Sequence, residues 1–509
     1  MQLTRRQLLT RSAGAAGLAV ALQGTGLYRL GAALATAPPR MAASGTAFAP
    51  EQHLMDTKVF VGPDSFLTNG AAGPVIGSVS LVVPPLHHQV ITARIRSPRS
   101  ATGLRGAQAA LEAALRKIDR AYPPDAHGFA TPAAFGCTVA WGLPYFENYL
   151  PKAIWQANLP IDLRATTTQN NGRNVFALID AVQFASDRPD ASMITLEQND
   201  LAVRMASDSL DHIADATSIL AREVGDLFDV TSLRLGFVGG GFGGGTSLPK
   251  RMAMAAGIPG AESIPESAEL FLGFNSTQQR ALGPTYIANL EAIPGLCNMQ
   301  SGYFTHGTTM HLSHLYEDLG AWYSQSDFGT RVARSFRPGL NVPDGTKTIA
   351  EDGQPPAGIP TNVETLSQVQ ADLTQYQAIG HSAAMQPVSR LQAPLTDTYG
   401  NTYPAGTPIP QRADFNTLDN PFFYSAHPER DGYSQSPAAG LHFVVFAPTS
   451  DAFHRTRCSM DGAYPNGTTL SIGARDPHQG FNAILETTHR QNFLVPPRAH
   501  RSFPLVEQL

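Results

Sequence analysis

Apolar and polar positions divide the chain into two stretches, each mixing strands with amphipathic helices. In the first, His88-Gln89-Val90-Ile91-Thr92-Ala93-Arg94-Ile95 alternates and is rich in β-branched residues, which predicts a strand. Leu104, Leu111, Leu115 and Ile118 then share one face of a helix, with Pro123-Pro124 beyond its end. Cys137–Gly142 and Asn174–Ile179 read as short strands, and Asp200–Met205 as another. Leu210, Ile213, Leu220, Val224 and Leu227 recur at helical spacing, with Ser207 or Asp208 as the cap. Ser232–Val238 closes the series as a strand. Apart from one extra strand the order is strand–helix–strand–strand–helix–strand, the split βαβ arrangement of a ferredoxin-like domain.

The second stretch is looser. Leu312, Leu315, Leu319 and Trp322 line one face of a predicted helix. Val363, Leu366, Val369 and Leu373 line another, started by Thr361 or Asn362. Gly440–Phe446 has the composition of a buried strand. Between these lie two Pro/Gly/polar segments, about 336–361 and 391–421, each longer than an ordinary connection. Loops of that length in a compact domain are usually functional or wrap a binding site.

The amino terminus reads as an address. Thr4-Arg5-Arg6-Gln7-Leu8-Leu9 precedes a weakly apolar Ala/Gly-rich run, Ala13 to Leu22, which is the twin-arginine export pattern. The run is too short and too interrupted by Gly to span a membrane. Ala35-Thr36-Ala37 offers a cleavage site, though Pro38 is a poor neighbour for cutting; a basic tail with no targeting role is the plainer alternative. Residues 1–45 are therefore set aside as signal and linker. The export machinery is an expected partner, and the expected location is periplasmic or extracellular.

Length and composition narrow the rest. At roughly 150 residues per domain, 509 residues allow two or three domains. Charged residues make up 15%, well below the roughly 25% of an average domain, so disorder driven by charge is excluded. A net charge of −5 leaves no basic footprint for nucleic acid. Cys137, Cys297 and Cys458 are too few and too scattered for a disulfide framework or a thiolate metal site.

Two motifs invite chemistry. Leu235 to Gly245 contains Gly-x-Gly-x-x-Gly after a strand, a pattern that in the right place cradles a pyrophosphate. Thr246-Ser247-Leu248-Pro249 shows no immediate helix, and a βαβ unit should begin here rather than end, so a flexible loop is the better reading. His306, His311 and His314 cluster, with His311 and His314 at i, i+3 on the predicted helix. Two imidazoles at that spacing can share a metal, but no third ligand is placed and a hydrogen-bonded helix face is the simpler account. No His-Glu-x-x-His, Gly-x-Ser-x-Gly or Walker loop occurs, which removes the commonest hydrolase and phosphotransfer readings.

The order of segments resembles the dye-decolourising peroxidases. The resemblance rests on His88-Gln89 opening a strand, Gly136–Phe146 with its Gly-x-Pro-x-Phe, and Asn199 through Phe242. It continues through Glu269–Phe274, Gly307 through Trp322, Gly432-Tyr433-Ser434, Gly440–Phe443 and Asn492–Pro497. It covers nearly all of the chain after the signal. It implies an α+β fold of two ferredoxin-like domains, 46–255 and 256–509, with antiparallel sheets and peripheral helices. It also implies a haem b cofactor (iron protoporphyrin IX), a peroxide substrate and an organic reductant, and is compatible with an oligomer.

By the same resemblance His381, in Ile379-Gly380-His381-Ser382, is the expected iron ligand, and Arg430 the arginine of the distal face. Gly273, Phe274, Asn275 and Thr277 lie in the expected cofactor-binding signature. There the family's Asp is replaced by Ser276, which can position a water but cannot act as the base near neutral pH. A paired-arginine segment is likewise replaced by Ser313-His314. Peroxidase turnover is therefore expected to be slow. The alternative is a non-catalytic haem-binding or structural protein on the same fold; a dinucleotide-dependent oxidoreductase using the Gly239–Gly245 loop is a distant third.

Overall fold

The structure, a computed structural model, describes residues 28–29, 51–52, 60–61, 81–82 and 84–509, except 98, 125–130, 169, 188–193, 240–246, 267, 275–294, 340–363, 398–399, 401, 404 and 419–436. Eight strands carry the architecture. They are β1 (His87–Ile95), β2 (Gly136–Gly142), β3 (Leu201–Ser207), β4 (Phe228–Phe237), β5 (Thr308–Glu317), β6 (Phe415–Thr417), β7 (Gly440–Ala447) and β8 (Leu485–Val495). β4, β1, β3 and β2 lie side by side, all antiparallel, and β8, β5, β7 and β6 repeat the same order. Each half thus has the 4-1-3-2 order of the split βαβ arrangement. The fold is α+β, as the pattern predicts.

The two sheets are not separate. β2 pairs with β8, placing Leu494 opposite Trp141, and β6 pairs with β4, placing Asn416 opposite Phe237. These two short seams join the strands into one ring, each strand having a neighbour on both sides at least at one end. Gln491 secures the first seam: its Oε1 accepts from the Asn199 backbone N–H at 3.0 Å, and its Nε2 donates to the Asn199 carbonyl at 2.8 Å.

Helices cover the outside. α1 (Ala101–Ala121) starts at Ser100, whose hydroxyl accepts from the Gly103 N–H, and α2 (Leu210–Val224) packs beside it. Leu104, Leu111, Leu115 and Ile118 of α1 meet Ile213 and Leu220 of α2 over Ile91, Val203 and Trp141 of the strands. Burying a large aliphatic side chain is worth about 1.5–3 kcal/mol, so this layer is the main stabilising core. The second half carries α3 (Leu319–Ser324), α4 (Phe328–Ser335), α5 (Leu366–Tyr376), α6 (His381–Ser389) and α7 (Ser450–Met460). α6 and α7 pack together, and α7 lies against β5 and β7.

Inside the ring, Val90, Ala202, Leu312, Phe415, Val444 and Phe493 form an apolar cluster. Beside it lies an unusual amount of buried polarity. Arg204 and Arg234 stand opposite Val90 on either side. The Arg234 guanidinium donates to both Glu197 oxygens at 2.8 and 2.6 Å, with exposures of 0% and 8%, which satisfies a charge that burial would otherwise penalise. His314 lies opposite both His442 and His489, and the His314 and His442 ring centroids are 5.1 Å apart.

Several expectations are corrected. Thr308–Glu317 is strand, not the start of the Leu312–Trp322 helix; the helix begins only at Leu319, after Asp318 caps it. Ser313-His314 accordingly sits on a strand. Asn174–Ile179 is irregular, with one β-bridge between Ile161 and Phe176 as its only sheet-type pairing among the described residues. The cap of α2 is Ser209 and that of α5 is Thr365, where Gln368 completes a capping box. The 391–421 segment contains β6 and further short pairs rather than an open loop. A helix, Leu248–Ala255, does follow the glycine-rich loop, started by the Ser247 hydroxyl and Pro249; most of that loop lies outside the described residues.

Candidate functional site

His381 is the first residue of α6, and Gly380 is its cap. The approach is fixed by backbone: Ala383 donates its N–H to the Phe336 carbonyl at 3.0 Å, and Ile379 donates its N–H to the His478 carbonyl and accepts the Gly480 N–H, both at 3.0 Å. The half-buried His381 ring lies on Phe481, with centroids 4.4 Å apart. Phe481 in turn meets Trp322 edge-on at 5.6 Å. Trp322 donates its indole N–H to the Leu272 carbonyl at 3.0 Å, and Phe274 packs on Phe336 at 5.2 Å. The structure therefore brings His381 and the Gly273-Phe274 segment into one aromatic neighbourhood. Gly273 adopts φ +89°, and a Cβ there would lie 2.6 Å from the Tyr323 hydroxyl, so a side chain is disfavoured twice over.

Burial pushes the His381 imidazole down to about 3, helped by the positive fields of Arg412 and Arg457, so it is neutral near pH 7. Among the described residues no hydrogen bond to its ring nitrogens is found, and the orienting carbonyl or carboxylate expected for an iron ligand is not among them. A neutral imidazole with an uncommitted nitrogen is the donor that iron takes. Arg412 and Arg457 were missed by sequence reasoning; nothing in the pattern of residues 411–417 distinguishes Arg412 from a surface arginine. Arg412 also acts on Arg390, pulling it down to about 10 after burial does most of the work. Asn275, Ser276, Thr277 and Arg430 lie outside the described residues, as does Gly432-Tyr433-Ser434.

The histidine cluster does not come together. β5 points His311 and His314 to opposite faces. His311 stacks on Phe453 at 3.5 Å and contacts Asn492 Oδ1 at 2.7 Å, while His314 faces the ring interior. Burial lowers both to about 3. Among the described residues no group of three or more His, Cys, Asp or Glu is placed to hold a metal ion directly. A cavity of about 10 Å³ lies beside His311, lined by Phe184, Ser450, Phe453, His454 and Asn492, room for a single water.

Two carboxyls of the second half are buried. Glu317, at the end of β5, is 2% exposed, and neither of its oxygens has a hydrogen-bond partner among the described residues. Asp414, just before β6, is 3.8 Å from the Arg412 guanidinium. Burial, then the charge of Asp414, raises Glu317 to about 8; burial also raises Asp414, against the pull of Arg412 and Arg204.

Residues 85–497 match a family described as a family of unknown function, DUF7405. No curated protein matches. Among solved structures the chain is similar to a DyP-type peroxidase from Cellulomonas bogoriensis, at 16% identity and a TM-score of 0.46, over 87% of this chain and 99% of that one. It is also similar to a putative DyP-type peroxidase protein from Shewanella oneidensis, at 14% identity and a TM-score of 0.44, over 88% and 99%. For ferric DtpA from Streptomyces lividans the figures are 12%, 0.44, 81% and 89%. No helix among the described residues is long and apolar enough to cross a membrane.

Proposed function

The chain belongs to the family of unknown function DUF7405, and from that premise we propose that it is an exported haem protein that reduces hydrogen peroxide slowly with an organic reductant. The observation that carries this reading is His381: a neutral imidazole with no hydrogen-bond partner for its ring nitrogens among the described residues, set at a helix start within an aromatic wall and the field of Arg412. The donor chemistry fits iron protoporphyrin IX, which when bound supplies the redox chemistry of peroxide cleavage. His381 would hold the iron, and Gly273 and Phe274 would line the cofactor, Asn275 and Thr277 being the other cofactor-binding positions that the resemblance implies.

The chain's own part is electrostatic. Arg412 carries a fixed positive charge beside the site, suited to stabilising an anion such as a porphyrin carboxylate or departing hydroxide. Arg430 is retained in the distal role that the resemblance implies. Ser276 orders a water without taking its proton, which limits turnover. The twin-arginine pattern at Arg5-Arg6 supports export, and residues 46–255 and 256–509 are proposed as the two domains. The substitution at Ser276 favours a second reading, a haem-binding or structural protein without turnover.

Titrating the protein with haemin alongside His381→Ala tests the proposal. A sharp Soret band at one equivalent, lost or shifted in the variant, supports a His381-ligated haem. A featureless titration identical in both proteins rejects it. Peroxide consumption by the loaded protein then separates the peroxidase from the non-catalytic alternative.

A further inference from the structure

Tyr28 lies within residues 1–45, the expected signal and linker, yet its side chain is built into the junction of the two halves and is 4% exposed. The ring sits among Leu235, Phe237, Met252, Phe271 and Leu418, tilted against Phe237 with centroids 6.0 Å apart. A buried tyrosine needs an apolar cradle for its ring and partners for its hydroxyl, and both are present. The phenol O–H donates to the Leu235 carbonyl at 3.0 Å, and its oxygen has the Thr417 hydroxyl at 3.3 Å and the Leu418 N–H at 3.4 Å. Leu235 belongs to β4, Thr417 to β6, and Leu418 follows directly, so the socket exists only where the Asn416–Phe237 seam brings the halves together. It also connects to the wall around His381. Phe237 meets Phe271 edge-on at 5.8 Å, and Asn416 Oδ1 accepts the Phe271 N–H at 2.8 Å. The next carbonyl, that of Leu272, accepts from Trp322, whose ring meets Phe481 and through it His381.

We propose that this socket is a binding site for a phenol, that Tyr28 occupies it in the full chain, and that removal of the leader vacates it. A cut after Ala37 takes Tyr28 away, while the three groups that hold its hydroxyl stay with the body. The occupant defines the ligand class: a single aromatic ring with a hydroxyl opposite a small apolar substituent. In one part, that the phenol is the organic reductant, the proposal rests on the haem reading. Each phenol then gives up one electron and its hydroxyl proton, so that two phenols and one hydrogen peroxide yield two phenoxyl radicals and two waters.

para-Cresol reproduces the tyrosine side chain, and toluene is the same molecule without the hydroxyl. Calorimetric titration of the full-length apoprotein should show no para-cresol bound to wild type. Tyr28→Ala should bind one equivalent, about tenfold more tightly than toluene, and adding Thr417→Val should narrow that preference. Equal affinity for the two ligands, or no binding to Tyr28→Ala, overturns the phenol site. Binding to wild type as tight as to the variant overturns its occupation by Tyr28. Protein recovered after export, its N terminus read by mass spectrometry, should begin beyond Tyr28 and bind para-cresol as the variant does; exported protein that keeps Tyr28 overturns the unmasking. This arm decides if Tyr28→Ala does not fold. In haemin-loaded protein Tyr28→Ala should lower the KM for para-cresol about tenfold and leave peroxide consumption with ferrocyanide unchanged. An unchanged KM overturns the reductant role. If wild-type protein takes up no haemin, the haem reading fails while calorimetry still decides the phenol site.

Discussion

Gly380 and Phe336 touch backbone to backbone: a Cβ on Gly380 would lie 2.2 Å from the Phe336 carbonyl oxygen. That carbonyl also accepts the Ala383 N–H, so the start of α6 cannot retreat without giving up a bond. Gly380→Ala is therefore expected to displace His381 and weaken haemin binding at least tenfold. Titration followed by the Soret band checks this, with circular dichroism confirming that the helices persist.

Acid should destabilise the fold well above the usual carboxylate range. Burial holds His87 near 4 and His311, His314 and His381 near 3, against an ordinary value of 6.5. Each binds a proton on unfolding but not when folded, so its contribution is complete above about pH 6.5 and is lost as pH falls from there toward 3. Each adds up to about 1.4 kcal/mol per pH unit in that window. Urea midpoints between pH 7.5 and 5 should fall steeply, and a His314→Gln variant should show a shallower fall.

The opposite sign holds for Glu317. Its folded value is raised from 4.5 to about 8, so the folded state holds a proton that the unfolded chain releases. Stability is highest below about pH 4.5 for this group and declines as pH rises through about 8. Glu317→Gln should therefore gain stability relative to wild type at pH 9 but not at pH 4.5, as read from denaturant midpoints.

The Arg234–Glu197 pair inside the ring allows a sharper test. Glu197→Ala removes a carboxylate partner of a buried guanidinium and should cost about 3–5 kcal/mol. A double variant, Arg234→Met with Glu197→Leu, should recover most of that loss. Equal losses in the two would show that the pair contributes beyond cancelling its own burial cost.

The first four strands were legible because each has a face on the helical layer and an alternating or β-branched pattern. β5 was not, and closure of the ring explains why. Leu312 points inward and Leu315 outward, and both faces of the strand are covered, so apolar residues fall on both parities and imitate helical spacing. β8 was hidden because Thr487, His489, Arg490, Gln491 and Asn492 are polar yet mostly buried, satisfied by partners such as Asp187, Asn199 and His311. β6 is three residues long and sits in a Pro-rich stretch. At the site, His381 was reached through family resemblance. Glu317, Asp414 and Arg412 acquire meaning only from burial and mutual placement, which no local pattern records.

Ring closure also constrains how the protein can be made. One neighbour of β2 is β3, close behind it in sequence; the other is β8, which begins at Leu485. About 340 residues of translation separate them, tens of seconds at about 5–20 residues per second. Throughout that interval the Trp141–Gly142 end of β2 lacks the strand that later pairs with it and is open to any passing strand. A ribosome that stalls before Leu485 would release a chain whose first half is folded but adhesive, so the last strand acts as the stopper that makes the finished molecule safe to leave unattended.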